Sequence, residues 1–225
     1  SIENARALIN GAAKSNADAV KFQYRNVDRS HITENHMEIG DEILKEEIVN
    51  THIAPDEILE LKNYAQNLGL EVGISFFCVE DMEDFGENIS DFDFFKLPSV
   101  EMLNFNLITS FCNLEKKLFI STGCSNESEL EILNQNVGHL DYSLLHCVSN
   151  YPLLAENSKL GYIEFLKTKW NKPVGYSSHD ENWEVCLLAC MLGAEIIERH
   201  ITLNKFDPGL DHSSSSTIEE FEKLR

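Results

Sequence analysis

Two histidines, two lysines and a set of serines fall where apolar runs of this chain stop. His179 closes the run 173–179, and His200 stands near the end of the run 194–202. If those runs are adjacent strands, two imidazoles face each other at one end of a sheet. Imidazoles so placed suit a divalent transition metal whose shell is completed by water and substrate. The plainer reading is that each ring only hydrogen-bonds within its loop. Lys21 and Lys96 interrupt the apolar stretches Ala19-Val20-Lys21-Phe22 and Phe94-Phe95-Lys96-Leu97. A lysine there is costly unless it faces a wet pocket or an anion. Ser75, Ser99, Ser121, Ser149 and Ser177 end runs of their own. Two cations with serine hydroxyls make a cradle for a phosphate or a carboxylate. A lysine that snorkels outward and a Schiff-base lysine are the competing readings, and a Schiff-base enzyme has no need of the histidine pair. Glu101, two residues past Ser99, can orient a hydroxyl or a water, or simply face a helix N-terminus. Asp211 and His212, past Pro208-Gly209, lie in the loop after the last run, within reach of a substrate. His146 reads as a core residue or as support behind the site, and His31, His36, His52 and His139 have no such setting.

The elements that must position these groups follow from the same runs. Seven of them, 18–23, 70–76, 93–99, 117–123, 142–149, 173–179 and 194–202, end on polar or ionisable residues, and a helix-like stretch follows each. Buried strands that carry chemistry at their C-terminal ends and alternate with helices are the logic of a β/α barrel. The first residues, 1–17, predict a helix with Leu8, Ile9, Ala12 and Ala13 on one face. A polar excursion covers 24–52, with a charged helical piece near 41–49. Pro55 opens the next helix, Leu61, Ala65 and Leu68 form its apolar face, and Gly69 closes it. Asn126 with Glu129, and Ser216 with Glu219, read as capping pairs. Seven strands fall one short of a (β/α)8 TIM barrel, and the chain opens inside a helix. The expectation is one catalytic barrel domain over 1–225, lacking the first strand and the end of the last helix, cut from a longer protein. The alternative is an open sheet with unpaired edges.

Composition narrows the classes. A 225-residue chain that is 43% apolar buries one sizeable core. A formal charge of −20 speaks against nucleic acid and against anionic membrane surfaces. An anionic small molecule stays accessible where lysines overcome the global field locally. The six cysteines form no CxxC pair and sit in or beside apolar runs, as reduced buried thiols do. Cys186 and Cys190, one helical turn apart, suit a core pair better than a metal. The apolar stretch around 185–194 is too short to span a bilayer, no signal peptide is visible, and the compartment reads as cytoplasmic.

Seven ordered motifs then point further. They are Ala17-Asp18-Ala19-Val20-Lys21-Phe22-Gln23, Lys96-Leu97-Pro98-Ser99, Ser121-Thr122-Gly123, Leu144-Leu145-His146-Cys147-Val148-Ser149-Asn150-Tyr151-Pro152, Gly175-Tyr176-Ser177-Ser178-His179, Gly193-Ala194-Glu195-Ile196-Ile197-Glu198-Arg199-His200 and Pro208-Gly209-Leu210-Asp211-His212. Along essentially its whole length the chain resembles the catalytic barrel of the sialic acid synthase family, which makes N-acetylneuraminate, legionaminate and pseudaminate. The resemblance implies condensation of phosphoenolpyruvate with an N-acylated amino-sugar such as N-acetylmannosamine, giving a nine-carbon 2-keto sugar acid and phosphate. It implies a divalent metal, Mn2+ with Mg2+ or Co2+ as alternatives, on His179 and His200. By position, Lys21, Ser75, Lys96, Ser99, Ser121, Ser149 and Ser177 would hold phosphoenolpyruvate. Gln23, Glu101, Tyr151 and Asp211 would meet the sugar, with Glu101 among the catalytic groups. A homodimer is implied for the full-length protein. The family's first strand and its C-terminal antifreeze-like domain are not in this sequence, so the chain alone is expected to bind metal and phosphoenolpyruvate but to condense sugar poorly. Ser75-Phe76-Phe77 replaces the usual Ser-Thr-Pro-Phe, and Ser178 stands where aspartate is frequent. A metal-dependent aldolase or isomerase acting on another phosphorylated sugar, and a non-catalytic sugar-binding remnant, are the alternatives.

Overall fold

A computed structural model describes residues 1–26, 29, 46 and 48–225. Most of the helical piece expected near 41–49, and His31 and His36, lie outside the described residues. Seven parallel strands form one sheet in strict sequence order: β1 (Ala19–Gln23), β2 (Glu71–Ser75), β3 (Phe94–Leu97), β4 (Lys117–Ser121), β5 (Ser143–His146), β6 (Val174–Ser178) and β7 (Ile197–Arg199). Each lies inside a run read from the sequence. The strands are shorter than the runs and, β1 apart, the last residues of each run already belong to the loop, where they carry chemistry. The sheet curls until its ends meet: Lys21 Nζ on β1 is 3.5 Å from Glu198 Oε1 on β7. Among the described residues β1 and β7 share no hydrogen-bonded ladder.

Helices cover the outside. Those of seven residues or more that can be named in full are α1 (Ile2–Lys14), α2 (Pro55–Asn67), α3 (Phe105–Cys112), α4 (Glu127–Val137), α5 (Gly161–Trp170), α6 (Glu184–Met191) and α7 (Ile218–Leu224), and a single turn, Glu80–Glu83, follows β2. Strands buried on both faces explain the near-continuous apolar runs. Val72, Ile74, Phe95, Leu97, Ile120, Leu144, Val174 and Tyr176 are buried, and Leu61, Phe111, Leu133, Ile163 and Leu166 on the helices close over them. Phe95 stacks on Phe111 with ring centroids 4.9 Å apart.

Local signals act largely as read. Pro55 sits at the start of α2, and Gly69 takes a φ of 85°, a left-handed conformation that glycine adopts without cost. Asn126 and Glu129 cap α4 reciprocally. Three details differ. The buried face of α1 is Ile9, Gly11 and Ala12, with Leu8 and Ala13 only half-buried. On α2 the buried set is Ile58, Leu61, Lys62 and Ala65, while Leu68 lies past the last turn and is exposed. The cap of α7 is Thr217 with Glu220, because Ser216 is already committed: its amide donates to His200 O and its hydroxyl accepts from Arg199 Nε. All six thiols are free. Cys186 is buried and Cys190 exposed, so the two do not form a core pair. Among the described residues no helix is long and apolar enough to cross a membrane.

Candidate active site

The C-terminal ends of the strands converge on one cleft of about 390 Å³. Its lining includes Lys21, Gln23, Ser75, Lys96, Ser99, Ser121, Tyr151, Ser177, His179 and His200, together with Pro98 and Glu198. Register explains the convergence. Gln23, Ser75 and Lys96 stand level on β1, β2 and β3, as do Ser177 and Glu198 on β6 and β7. Three expected residues stand outside this lining. Glu101 accepts a 2.9 Å hydrogen bond from Asn104 Nδ2, Ser149 accepts one from Cys124 Sγ, and Asp211 places Oδ2 3.7 Å from His200 Nδ1.

The anionic half of the charge balance is Glu198, which sequence reasoning passed over. Its Oε2 accepts from Lys96 Nζ at 2.7 Å while Oε1 faces Lys21 Nζ. Burial pushes this carboxyl up, and the two ammonium groups overcome it and hold it well below the ordinary carboxylate range. Burial likewise lowers Lys21, with Glu198 pulling the other way, and Lys21 Nζ donates to Ser75 Oγ at 3.0 Å. The available signal was alternation: Glu198 stands two residues before His200, so a strand running up to His200 turns both side chains to one face.

The serines are not equivalent. Ser99 Oγ accepts from the Gly123 amide at 3.1 Å and lies 3.2 Å from Cys147 Sγ. Gly123 must be glycine, since a Cβ there would fall 2.4 Å from Cys147 Sγ and 2.7 Å from Ser149 Oγ. Ser121 Oγ is buried in the cradle with no hydrogen-bond partner. A buried donor left unmet is a cost that a bound acceptor removes.

His179 and His200 each sit one residue past a strand end, with ring centroids 5.8 Å apart. His179 Nδ1 donates to Val148 O at 2.9 Å, which leaves the Nε2 lone pair directed at the Tyr151 hydroxyl, 2.9 Å away. Burial pushes His179 down to about 4 and lowers His200 as well. A neutral ring with one nitrogen fixed by a carbonyl, as His179 has, is a form in which histidines ligate a metal. The donor set therefore fits a two-histidine site, although among the described residues no third His, Cys, Asp or Glu completes a cluster.

A buried network ties the two rings' strands together from behind. Arg199 donates through Nη1 to Ser178 Oγ at 2.6 Å and through Nη2 to Asp180 O at 2.8 Å. Asp180 Oδ2 accepts from Ser178 and from the Tyr176 hydroxyl. Ser178, at the position where the resemblance led one to look for aspartate, thus has its carboxylate two residues on, in Asp180.

The NeuB family model matches residues 8–225. The chain belongs to the NeuB family. Among its relatives, an N-acetylneuraminate-9-phosphate synthase of Drosophila melanogaster is 30% identical over 99% of this chain and 62% of its own length. An N,N'-diacetyllegionaminic acid synthase of Legionella pneumophila is 30% identical over 99% of this chain and 66% of its own. The NeuB chain described here thus spans less than two thirds of either relative. In three dimensions it is similar to an N-acetylneuraminic acid synthetase of Leptospira borgpetersenii solved with citrate, with a TM-score of 0.88, 29% identity and coverage of 99% of this chain and 76% of that one.

Proposed function

We propose that this NeuB-family barrel condenses phosphoenolpyruvate with an N-acylated amino-sugar of the N-acetylmannosamine kind, forming a nine-carbon 2-keto sugar acid and releasing phosphate. The observation that carries the reading is the convergence of Lys21, Lys96 and the unsatisfied Ser121 hydroxyl beside the His179–His200 pair. Phosphoenolpyruvate is a compact polyanion. In an acidic protein this cradle supplies two ammonium groups and several hydroxyls to it within a few ångströms.

Lys21, Ser75, Lys96, Ser99, Ser121 and Ser177 bind the phosphate and carboxylate and hold C3 toward the sugar aldehyde. Gln23 and Tyr151 orient the open-chain sugar across the mouth. Glu101, Ser149 and Asp211 complete the rim, Glu101 positioning a water or hydroxyl. His179 and His200 would hold the divalent metal, Mn2+ with Mg2+ or Co2+ as alternatives, which when bound supplies Lewis-acid polarisation of the aldehyde oxygen. A carbon–carbon bond forms between C3 and the aldehyde carbon, and the aldehyde oxygen gains a proton. Water adds at C2, and the C2–O bond breaks to free phosphate. Glu198 draws both lysine side chains to one point of the cleft before the ligand arrives. Relatives named as N-acetylneuraminate and legionaminic acid synthases support the sugar class. Free thiols suit a cytoplasmic setting, and a homodimer is proposed for the full-length protein.

The test is phosphate release from phosphoenolpyruvate carrying an isotopic label in its bridging oxygen. Sugar-dependent release with the label in phosphate is the expected outcome. Release without sugar, or label retained in the organic product, would point to a different reaction.

A further inference from the structure

Two of the free thiols stand at serines of the cleft and its rim. The exposed Cys124 donates from Sγ to Ser149 Oγ at 3.2 Å. The buried Cys147 places Sγ 3.2 Å from Ser99 Oγ. The backbone brings the pair together. β4 and β5 run in parallel with Ser121 opposite Leu145, and the Thr122 amide carries the ladder on by donating to Leu145 O. Two residues past Ser121 and Leu145 the same register sets Gly123 beside Cys147, and a Cβ on Gly123 would fall 2.4 Å from Cys147 Sγ. Cys124 follows directly. Neighbouring strands lie about 4.8 Å apart, and one residue of offset adds about 3.3 Å along the strand. The two Cα atoms are thereby kept within the reach of about 7 Å that a disulfide allows. Ser149 Oγ lies 2.7 Å from the same Gly123 position, so both thiols neighbour one serine hydroxyl.

The surroundings give the two sulfurs different parts. Solvent reaches Cys124, so an oxidant meets it first. Burial pushes the Cys147 thiol up, which makes it slow toward peroxide, yet it stands where a sulfenic acid on Cys124 can condense with it. We propose that Cys124 and Cys147 form an oxidisable pair, which a hydroperoxide closes to a disulfide, and that closing it disables the cradle for phosphoenolpyruvate. The Cys124 sulfur attacks hydrogen peroxide, the O–O bond breaks, and Cys124 becomes a sulfenic acid as one water leaves. The Cys147 sulfur then attacks the Cys124 sulfur. The S–O bond breaks, and the hydroxyl leaves with the Cys147 proton as a second water. Two electrons pass from the thiols to the peroxide, and a dithiol reductant returns them. The new bond takes Cys147 Sγ from Ser99 and Cys124 Sγ from Ser149. Ser99 lines the cleft, and its Oγ also accepts from the Gly123 amide at 3.1 Å, so the link closes on the point where that serine is held. The inhibitory half rests on the condensation proposed above, which gives both serines to phosphoenolpyruvate, whereas the pair itself rests on register and contacts alone.

The experiment treats the full chain with hydrogen peroxide, alkylates the remaining thiols, maps linked peptides by mass spectrometry and titrates phosphoenolpyruvate by calorimetry. Two of the six thiols are expected to escape alkylation, with Cys124 and Cys147 in one linked peptide that a dithiol separates. Phosphoenolpyruvate affinity should fall about tenfold on closure, as two hydroxyls leave their places, and return on reduction. C124S, which keeps an O–H beside Ser149, is expected to bind phosphoenolpyruvate as wild type does and to be unmoved by peroxide. C147S is expected to stop at the sulfenic acid on Cys124, captured by a dimedone probe. Six alkylated thiols after treatment, a link between other cysteines, or a linked chain of unchanged affinity overturns the assignment. So does inhibition that persists in C124S. An untreated chain that binds no phosphoenolpyruvate counts against the condensation and the inhibitory half together, whereas the linked peptide decides the pair by itself.

Discussion

The two sides of the mouth are built on opposite plans. At the β6–β7 side, Tyr176, Ser178, Asp180, Arg199 and Ser216 are buried and bond mainly to one another, leaving His179 and His200 as the groups that face outward. At the β1–β4 side, two lysines share one carboxylate, and the Ser121 hydroxyl and Arg25 Nε have no partner. The first side meets most of its needs internally, Asp180 Oδ1 alone among these five side chains being buried without a partner, and it holds lone pairs in fixed directions. The second keeps donors in reserve. Positioning and anion binding are thereby carried by different residues, and substitutions on the two sides should separate stability from affinity.

The largest effect belongs to the β6–β7 side. Arg199→Met leaves Ser178, Ser216 and the Asp180 carbonyl without their cation and should cost about 3–5 kcal/mol of folding stability, read by urea denaturation. A loss below about 1 kcal/mol would show that the network is not what joins β6 to β7. On the other side, Lys96→Met should cost about 2 kcal/mol of phosphoenolpyruvate binding, roughly thirtyfold in Kd, as followed by calorimetry. Unchanged affinity would remove Lys96 from the cradle. Ser121→Ala sharpens the contrast: stability should hold or rise by up to about 1 kcal/mol, because an orphaned hydroxyl is removed, while phosphoenolpyruvate affinity falls about fivefold. A drop in stability with affinity intact would reverse the assignment.

The smallest effect is a pH dependence at the exit of β1. Arg29, with help from Asn26 and Tyr24, overcomes burial and holds the Asp84 carboxyl down at about 2. A carboxyl depressed in the folded state stabilises above its ordinary range, and that contribution is lost as pH falls through the folded value. The urea midpoints of wild type and R29Q should therefore differ by a constant amount above about pH 4 and converge toward pH 2. A gap that persists at pH 2 would mean that Arg29 acts through packing.

Much of this site was legible because strand ends advertise themselves. Lys21 and Lys96 stood out as charges inside apolar runs, and each histidine followed a strand by a single residue. Glu198 was hidden because a glutamate beside an arginine in a short strand looks like an exposed pair, and its meaning depends on curling that brings β7 to β1. Arg25 was hidden for a similar reason. It sits at the head of a polar excursion, and nothing in the sequence tells that Asp81 and Asp84 would choose Arg29. Ser216 was misread as a cap because its tertiary partner, Arg199, lies seventeen residues upstream. Local pattern located the chemistry, and long-range pairing decided which groups remain free to perform it.

The central claim is that one cleft holds both an anion cradle and a metal-competent histidine pair. Its most direct test is calorimetric titration of Mn2+ and then phosphoenolpyruvate into the folded chain, beside a His179→Ala/His200→Ala double variant. The account predicts saturable binding of both ligands, with Mn2+ binding abolished in the variant. A cooperatively folded chain that binds neither, or that binds Mn2+ equally well without the histidines, would contradict it.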